Sequence, residues 1–583
     1  MSPRRTGLGR LPTLFRFARP HGRRVLLAGV TLVLATATAV AGPLAAKEVI
    51  DRGITDRSYG EVVLWVGVFL AVTVVGWAAT AAQSYLTSWV GERMLADLRT
   101  AIFGHIQRLH LGFFERTPAG VVISRLTNDI DAMNSMVTDG PTTLVQNTLT
   151  LVGSAAVLLV LDWRLALATL TVFPAMAVGT AVFRRYSARA YRRTRERMGE
   201  VTASLQEDIS GVRVVQAFRR ENANYRRFLA VNDGYRAANV QTVNYASLYF
   251  PFVSLLSAVA TAVVLGYGGI LVFRGQLTPG ALFAFIALLS NFFDPVQQLS
   301  QFYQTLLGAM AALDKVVEVL ETEPAMSDSP TAEPLPPIAG KVEFENVRFS
   351  YAPDASEVLH SVSFTAEPGQ TIALVGHTGA GKSTVVKLLA RFYDPTAGRV
   401  LIDGHDLRDV TAKSLRSQLG IVPQEGFLFS GTVRSNIAFG RPDASLDDVV
   451  AAAQAVGADE FIRALPEGYD TQIQERGARL SIGQRQLVAF ARALLADPRI
   501  LILDEATSSV DIPTEARIEE ALQTLLGGRT ALVVAHRLST IRGADVIVVL
   551  EHGEVIEAGT HSQLLELRGR YYALYDDWVE AVA

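Results

Sequence analysis

The chain has 583 residues, 49% of them hydrophobic and 19% charged, and it contains no cysteine. Such a composition excludes a disordered chain, a disulfide-held scaffold, a cysteine-ligated zinc or iron–sulfur site and a cysteine nucleophile. The net charge of −3 conceals two unlike halves: residues 1–320 carry 31 Lys and Arg against 20 Asp and Glu, whereas residues 321–583 carry 23 against 37. A charge asymmetry of this kind favours contact with a membrane or with nucleic acid.

Long uncharged stretches recur six times in the first half. A helix needs about 20 apolar residues to span a hydrocarbon core of about 30 Å. The stretches therefore predict six transmembrane helices, near 25–46, 62–84, 141–161, 165–183, 247–273 and 276–296. No small-residue cleavage pattern follows the first stretch, so we expect a retained span rather than a removed signal peptide.

Arginine placement predicts the orientation of these spans. Thirteen arginines lie between residues 184 and 236, whereas the turn around Arg274 holds one basic residue. Basic residues concentrate on the cytoplasmic side, so the N-terminus and residues 85–140 and 184–246 are expected there. The two long cytoplasmic segments read as helical, and helices of 25–30 residues would extend about 40 Å beyond the bilayer.

A proline-rich linker separates the two halves. Residues 321–340 hold five prolines among small and acidic residues, which predicts a membrane domain over 1–320, a linker over 321–340 and a second domain over 341–583. Short apolar runs at 371–375, 500–503 and 531–535 are typical of buried parallel strands. Their alternation with helical segments predicts an α/β domain.

A glycine-rich segment follows the first of these buried strands. It fits the pattern G-x-x-x-x-G-K-[ST] and consists of Gly376, His377, Thr378, Gly379, Ala380, Gly381, Lys382, Ser383 and Thr384. In such a loop, backbone N–H groups close around phosphate oxygens at a helix N-terminus. We expect Lys382 to reach the β- and γ-phosphates and Ser383 to ligate Mg²⁺, as in a P-loop ATPase.

Two acidic residues follow the run at 500–503. Asp504 and Glu505 are expected at the carboxyl edge of the sheet, where nucleotides bind in α/β domains. We expect Asp504 to hold the Mg²⁺ shell and Glu505 to act as the general base toward the attacking water.

These features resemble an ATP-binding-cassette (ABC) exporter half-transporter, with six spans followed by one nucleotide-binding domain, over nearly the whole chain. The segment 480–484, LSIGQ, resembles the signature LSGGQ. The resemblance implies ATP and Mg²⁺ as cofactors, and it implies that Ser481, Gly483 and Gln484 close over ATP held by another subunit. It further implies that Tyr351 stacks on adenine, that Gln424 contacts Mg²⁺ and the attacking water, and that His536 contacts the γ-phosphate. Asp511 would belong to the D-loop and Glu475 to the X-loop of the family. Residues 112–116, 120–129 and 211–221 resemble the coupling segments that dock on the nucleotide-binding domains.

One residue departs from the family pattern. Ile482 stands where the signature usually has glycine, and a β-branched residue there is expected to slow closure or hydrolysis. The departure resembles heterodimeric exporters, in which one of the two ATP sites is degenerate. A heterodimer is therefore slightly favoured over a homodimer, and both remain open.

The predicted fold class is an α-helical membrane domain of six transmembrane helices joined to an α/β P-loop ATPase domain. The predicted function is ATP hydrolysis coupled to export of hydrophobic or amphipathic small molecules or lipids by alternating access, in a bacterial plasma membrane. The expected partners are a second half-transporter, the bilayer and the cargo, without nucleic acid. An importer of a metal chelate and an ATP-gated channel or regulator are the alternatives, and Glu505 and His536 argue against the gate because a gate needs no base.

Clues to the cargo are few. Aromatic and amide side chains between residues 283 and 304 suit an amphipathic cargo or ordinary helix packing. Asp294, near the end of the last span, is a candidate for cation recognition.

Overall fold

The computed structural model describes residues 7–324, 326–352, 355–424, 426–474, 477, 480–504, 512–535 and 537–582. The chain divides into two compact units. The first comprises Met1–Arg108 and Pro118–Thr322, and the second comprises Leu109–Thr117 and Glu323–Ala583. The domain boundaries expected at 320 and 341 stay a prediction.

The first unit is entirely helical in the part of the chain that the structure describes. Its helices are α1 (Leu11–Phe15), α2 (Gly22–Glu48), α3 (Tyr59–Ile106), α5 (Ala119–Leu126), α6 (Asn128–Thr138), α7 (Asn147–Leu161), α8 (Trp163–Leu170), α9 (Phe173–Ser210), α10 (Val212–Ala217), α11 (Glu221–Phe273) and α12 (Pro279–Glu321), while α4 (Leu111–Arg116) belongs to the second unit. Short 3₁₀ or π segments join some of them, at Gly7–Arg10, Arg19–His21, Val49–Thr55 and Thr142–Gln146.

Six helical segments are long and apolar enough to cross a membrane, which confirms the predicted number of spans. They are Arg19–Thr55, Tyr59–Ile106, Ala119–Leu161, Trp163–Ser210, Glu221–Phe273 and Pro279–Glu321. The 48 residues of α3 amount to about 72 Å of helix, more than twice the thickness of a hydrocarbon core. Such helices continue well past the bilayer, as the composition of the polar segments predicts.

The last span begins three residues later than expected, at Pro279 rather than at residue 276. Thr278 caps the helix, because its hydroxyl oxygen accepts a hydrogen bond from the N–H of Ala281, and proline suits the first helical position. Asp51 reinforces this start by accepting bonds from the Thr278 hydroxyl at 2.6 Å and from the Gly280 N–H at 2.8 Å. A Cβ on Gly280 would lie 2.4 Å from the carbonyl oxygen of Lys47, so the two helix ends approach too closely for any side chain there.

Aromatic side chains of α12 mostly serve helix packing. Phe285, Phe292 and Phe293 are buried in the core of the first unit, against residues of α8, α9 and α11. Of the two sequence interpretations, helix packing therefore accounts for these three residues. Asp294 is exposed on α12, and its role stays a prediction.

The second unit contains the predicted α/β domain. Its strands are β1 (Val342–Phe349), β2 (Leu359–Ala366), β3 (Thr371–Val375), β4 (Ala397–Ile402), β5 (His405–Asp406), β6 (Leu419–Val422), β7 (Gly431–Thr432), β8 (Gln472–Ile473), β9 (Ile500–Asp504), β10 (Thr530–Val534), β11 (Val546–Glu551) and β12 (Glu554–Gly559). Its helices after α4 are α13 (Lys382–Leu389), α14 (Ala412–Arg416), α15 (Val433–Ile437), α16 (Leu446–Ala455), α17 (Asp459–Arg463), α18 (Ile482–Leu495), α19 (Ile512–Leu526), α20 (Leu538–Gly543), α21 (His561–Leu567) and α22 (Arg570–Val582).

The main sheet has six strands in the order β12-β11-β3-β10-β9-β6. All neighbouring pairs are parallel except the one with the edge strand β12. Within β3, Ile372 and Leu374 join one hydrophobic core while Ala373 and Val375 join another. Alternate side chains thus fill cores on both faces, which explains why the strands read as continuous apolar runs. A second, four-stranded antiparallel sheet has the order β2-β1-β4-β5.

Candidate functional site

The glycine-rich loop leaves the carboxyl end of β3 and enters α13. Gly376 has φ of +147°, and a Cβ there would lie 2.1 Å from the carbonyl oxygen of Leu550 on the neighbouring strand. Only glycine fits this close approach. At Gly379 the φ is also positive, but an added Cβ would meet nothing within 4 Å. The helix begins at Lys382, so the N–H groups of its first turn point into the loop.

Lys382 is held inside this loop. Its side chain is buried, and Nζ donates hydrogen bonds to the carbonyl oxygens of Gly376 at 2.7 Å and His377 at 3.0 Å. Burial lowers the pKa of Lys382, and the negative charge of Asp504 opposes that shift. A cation tied to two carbonyl oxygens at the centre of a loop is poised to exchange them for phosphate oxygens.

The carboxyl ends of β3, β6, β9 and β10 lie at one edge of the sheet because these strands are parallel. Asp504 is the last residue of β9, where it pairs with Val534, rather than the first residue after the strand. Gln424 follows the end of β6 by two residues and is exposed. The phosphate loop, Asp504 and Gln424 therefore lie at the same edge of the sheet, where the sequence predicts Asp504.

Four of the predicted functional residues lie outside the described residues. They are Glu475, Glu505, Asp511 and His536. Their roles stay predictions.

Tyr351 lies beside the phosphate loop in an aromatic cluster. Its hydroxyl shares a hydrogen bond of 3.0 Å with the hydroxyl of Thr384. The rings of Phe349 and Tyr393 meet it edge-on, at centroid distances of 4.8 and 5.2 Å, and Lys387 Nζ lies 5.3 Å from its centroid. The predicted adenine-stacking residue is thus positioned by the first turns of the same helix that begins in the phosphate loop.

Helix α4 adjoins this cluster. Glu115 accepts hydrogen bonds of 2.7 Å from Lys387 Nζ and from the Tyr393 hydroxyl. Partial burial raises the pKa of Glu115, but the bonds from Lys387 and Tyr393 outweigh it, so the net shift is downward. Burial and the bond to Glu115 raise the pKa of Tyr393. The residues 112–116, expected to dock on the nucleotide-binding domain, thus make an ionic contact within the second unit.

A cavity of about 250 Å³ lies between α4 and the aromatic cluster. Its lining comprises Gly112, Glu115, Arg116, Tyr351, Ala352 and Tyr393. Movement of the Tyr351 ring would therefore be transmitted to α4 through side chains in direct contact. The second segment that resembles a coupling region, around α10, belongs to the first unit.

The signature segment opens α18. Ser481 caps the helix: its hydroxyl accepts from the N–H of Gln484 at 3.2 Å, and the Gln484 side chain accepts from the N–H of Ser481 at 3.0 Å. Gly483 is buried, whereas Ile482 is 46% exposed. Ser481 and Gln484 thus bond to each other's backbone N–H groups, and their predicted contact with ATP stays a prediction.

Three residues that contact predicted functional residues belong to none of the sequence motifs. Lys387 and Tyr393 meet Glu115 across more than 270 positions of chain. Arg570 donates to the His377 ring nitrogen Nε2 at 3.0 Å and pairs with Glu551 at 2.8 Å, so the His377 side chain is held by α22. No periodicity or local motif marks these pairs.

Known proteins share both halves of this architecture. Residues 25–296 match the family described as ABC transporter transmembrane region, and residues 359–508 match the family described as ABC transporter. The chain is 41% identical over 563 residues to the ATP-dependent lipid A-core flippase of Syntrophus aciditrophicus (strain SB), covering 96% of this chain and 93% of that protein. It is 36% identical over 574 residues to the putative multidrug export ATP-binding/permease protein YgaD of Bacillus subtilis (strain 168), covering 97% and 99%. A solved structure of a bacterial Atm1-family ABC exporter with ATP bound matches with a TM-score of 0.80 and 31% identity, covering 96% of this chain and 98% of that one.

Proposed function

The chain belongs to the ABC exporter family as a half-transporter with one ATPase domain, and from that premise we propose that it exports hydrophobic or amphipathic small molecules or lipids by alternating access. It is an ATP-binding, multi-pass membrane protein and works as a dimer. One observation carries the proposal: residues 109–117, which lie in the chain between two membrane-crossing segments, belong to the compact unit that contains the phosphate loop. Nucleotide-driven motion of that unit would thereby reach the spans.

The proposed chemistry uses oxygen donors at the carboxyl edge of the sheet. The hydroxyl of Ser383, the carboxylate of Asp504 and the amide oxygen of Gln424 are the ligand types that Mg²⁺ prefers. When bound, Mg²⁺ would neutralise charge on the phosphates. Lys382 binds and orients the β- and γ-phosphates, Glu505 removes a proton from the attacking water, and His536 contacts the γ-phosphate.

The signature segment supports a site shared between two chains. Ser481, Gly483 and Gln484 would close over ATP bound to the phosphate loop of the partner, with the N-terminus of α18 favouring its negative charge. Because Ile482 departs from the family pattern, we infer that the partner is more often a related second chain than a copy of this one. Purification of a tagged chain from its native cells, followed by mass measurement of the intact complex, tests this: only homodimers would contradict the inference.

Replacement of Glu505 by Gln tests the assignment of the base. The Glu505→Gln protein should bind ATP as the wild type does, while its steady-state hydrolysis and its ATP-driven transport in inverted vesicles are lost. Lys382→Ala is the contrasting variant, since it should lose ATP binding as well. Wild-type hydrolysis by Glu505→Gln would contradict the assigned role, and ATP-independent movement of every amphipathic cargo would contradict the proposed function.

We further propose that the protein resides in the bacterial plasma membrane with its N-terminus and ATPase domain in the cytoplasm, as arginine placement favours. The cysteine-free chain allows a clean test with single cysteines at exposed positions. Asp56→Cys, between α2 and α3, should react with a membrane-impermeant maleimide in intact cells. Ser210→Cys, at the end of α9, should react only after permeabilisation. The opposite labelling pattern would invert the topology.

A further inference from the structure

We propose that the cavity between α9 and α12 binds the cargo and selects an anionic amphiphile, a molecule with a phosphate or carboxylate head and an apolar chain. The inference rests on the proposed function and deepens it by naming the class of cargo. The cavity has a volume of about 820 Å³, within the usual range for small-molecule sites. It is lined from one face of each helix, and every lining residue belongs to the first unit.

The cavity is cationic along its α9 side. Arg184 lines it directly after Phe183, Arg192 and Arg195 line it two to three turns further along the helix, and no lining residue is Asp or Glu. Among the described residues, no ion pair joins these three guanidinium groups to a carboxylate. Arg184 instead donates to the hydroxyl of Tyr303 at 3.0 Å, and Arg195 lies 5.2 Å from the ring centroid of Tyr191.

Aromatic contacts orient Arg184 and Arg195 but do not neutralise their charges. The Arg184 guanidinium lies 4.2 Å from the ring centroid of Tyr303, which leaves N–H groups free to donate. A guanidinium presents several donors in a planar fork that matches phosphate and carboxylate geometry. Three positive charges without a carboxylate in one cavity therefore favour an anion over a neutral or cationic head.

Away from Arg192 and Arg195, the cavity is mainly apolar. Phe183 of α9 stacks on Tyr249 at a centroid distance of 4.0 Å, and Val296 and Leu299 face the cavity from α12. Phe183 and Arg195 are twelve residues apart on one helix, which corresponds to about 18 Å. The cavity is thus long enough to hold an apolar chain with its head beside Arg192 and Arg195.

The position of this gradient along α9 agrees with a lipid-like orientation. Phe183 ends the fourth apolar stretch, whereas the three arginines follow it in the segment expected on the cytoplasmic side. An amphiphile in the inner leaflet presents its chain and head at the corresponding levels. Along the bilayer normal, the cavity thus changes from apolar to cationic in the direction in which such a lipid changes from chain to head.

Equilibrium binding of matched probes tests the inference. The purified ATP-free, full-length protein in nonionic detergent is offered palmitate or hexadecanol, and lysophosphatidic acid or zwitterionic lysophosphatidylcholine. We expect the wild type to bind at least one anionic probe about tenfold more tightly than its uncharged counterpart, since each charge-assisted bond contributes on that scale. The tighter of the two anionic probes identifies the head as a carboxylate or a phosphate.

Arg192→Gln combined with Arg195→Gln is the decisive variant. It should weaken binding of the anionic probe by about tenfold for each arginine that contacts the head, hence about 10- to 100-fold, while leaving hexadecanol and lysophosphatidylcholine unchanged, which also shows that the protein is folded. Arg193→Gln is the matched control, because Arg193 is exposed on the same helix and does not line the cavity. Binding of the anionic probe to the control should equal that of the wild type, and raising the salt concentration should weaken binding less in the double variant, which keeps only Arg184, than in the wild type and the control.

Equal wild-type affinity for each anionic probe and its net-neutral counterpart would overturn the inference, as would full anionic affinity in the double variant. Transport in inverted vesicles separates this failure from failure of the proposed function. ATP-driven uptake of a neutral or cationic amphiphile without anionic preference would leave export intact and remove the anionic class. Absence of ATP-driven uptake of every amphiphile would remove both.

Discussion

The contact of Glu115 with Lys387 and Tyr393 is expected to hold α4 in the ATPase unit. Glu115→Gln keeps an acceptor for the Tyr393 hydroxyl but removes the ion pair. The side chains of Glu115 and Lys387 are 36% and 27% exposed, so the pair should contribute about 0.5–1 kcal/mol, as partly solvated ion pairs do. Glu115→Ala loses both hydrogen bonds and should cost about 1–2 kcal/mol, a factor of about 5–30 in the opening equilibrium of α4.

Hydrogen exchange of a peptide covering residues 109–117 measures this opening. Its amides include Thr117, whose N–H bonds to the Phe113 carbonyl oxygen at 2.9 Å. Exchange should accelerate by the factor given above in Glu115→Ala and by less in Glu115→Gln. Lys413→Met, which changes an exposed lysine elsewhere in the same domain, is the control and should leave the peptide unchanged.

A double-mutant cycle isolates the ion pair. Glu115→Gln and Lys387→Met should each accelerate exchange, and the double variant should be less affected than the sum of the two by about 0.5–1 kcal/mol. The lowered pKa of Glu115 means that its contribution is present above pH 4.5 and is lost as pH falls through the folded-state value. Strict additivity of the two substitutions, or unchanged exchange in Glu115→Ala, would refute the argument.

Three further substitutions have definite expected outcomes. Gly376→Ala should abolish binding of a fluorescent ATP analogue, whereas Gly379→Ala should cost only the positive φ, about 1 kcal/mol, and equal losses would contradict the steric argument. Ile482→Gly should raise the ATPase rate of the purified dimer by removing an exposed β-branched side chain from the signature, and a lower rate would remove the proposed effect. Gly280→Ala should lower the thermal unfolding temperature, because overpacking costs about 1–3 kcal/mol of stability. Gly269→Ala has open space around the added Cβ and should leave that temperature unchanged, and equal stability of the two variants would contradict the close helix approach.

Local patterns predict much of this protein because their physical causes are local. Uncharged stretches reveal the spans, since a charge in the hydrocarbon core costs free energy wherever the chain goes next. The loop from Gly376 to Thr384 is equally readable, because a strand, a glycine turn and a helix N-terminus are contiguous in sequence. The start of a helix is predicted less accurately: the last span is expected from residue 276 but begins at Pro279, because capping by Thr278 decides the first turn.

The sequence by itself determined that the protein is an ATP-driven transporter of the exporter type. Six spans, a phosphate loop, an acid at a strand end and a signature segment are each encoded within a short stretch. Only the tertiary structure decided which distant side chains meet. Glu115 and Lys387 are 272 residues apart, and Arg570 and His377 are 193 apart. The cavity between α9 and α12 likewise depends on which faces of two helices oppose each other. Such pairings depend on packing of whole elements, which buries apolar area without regard to sequence distance, so no local pattern records them.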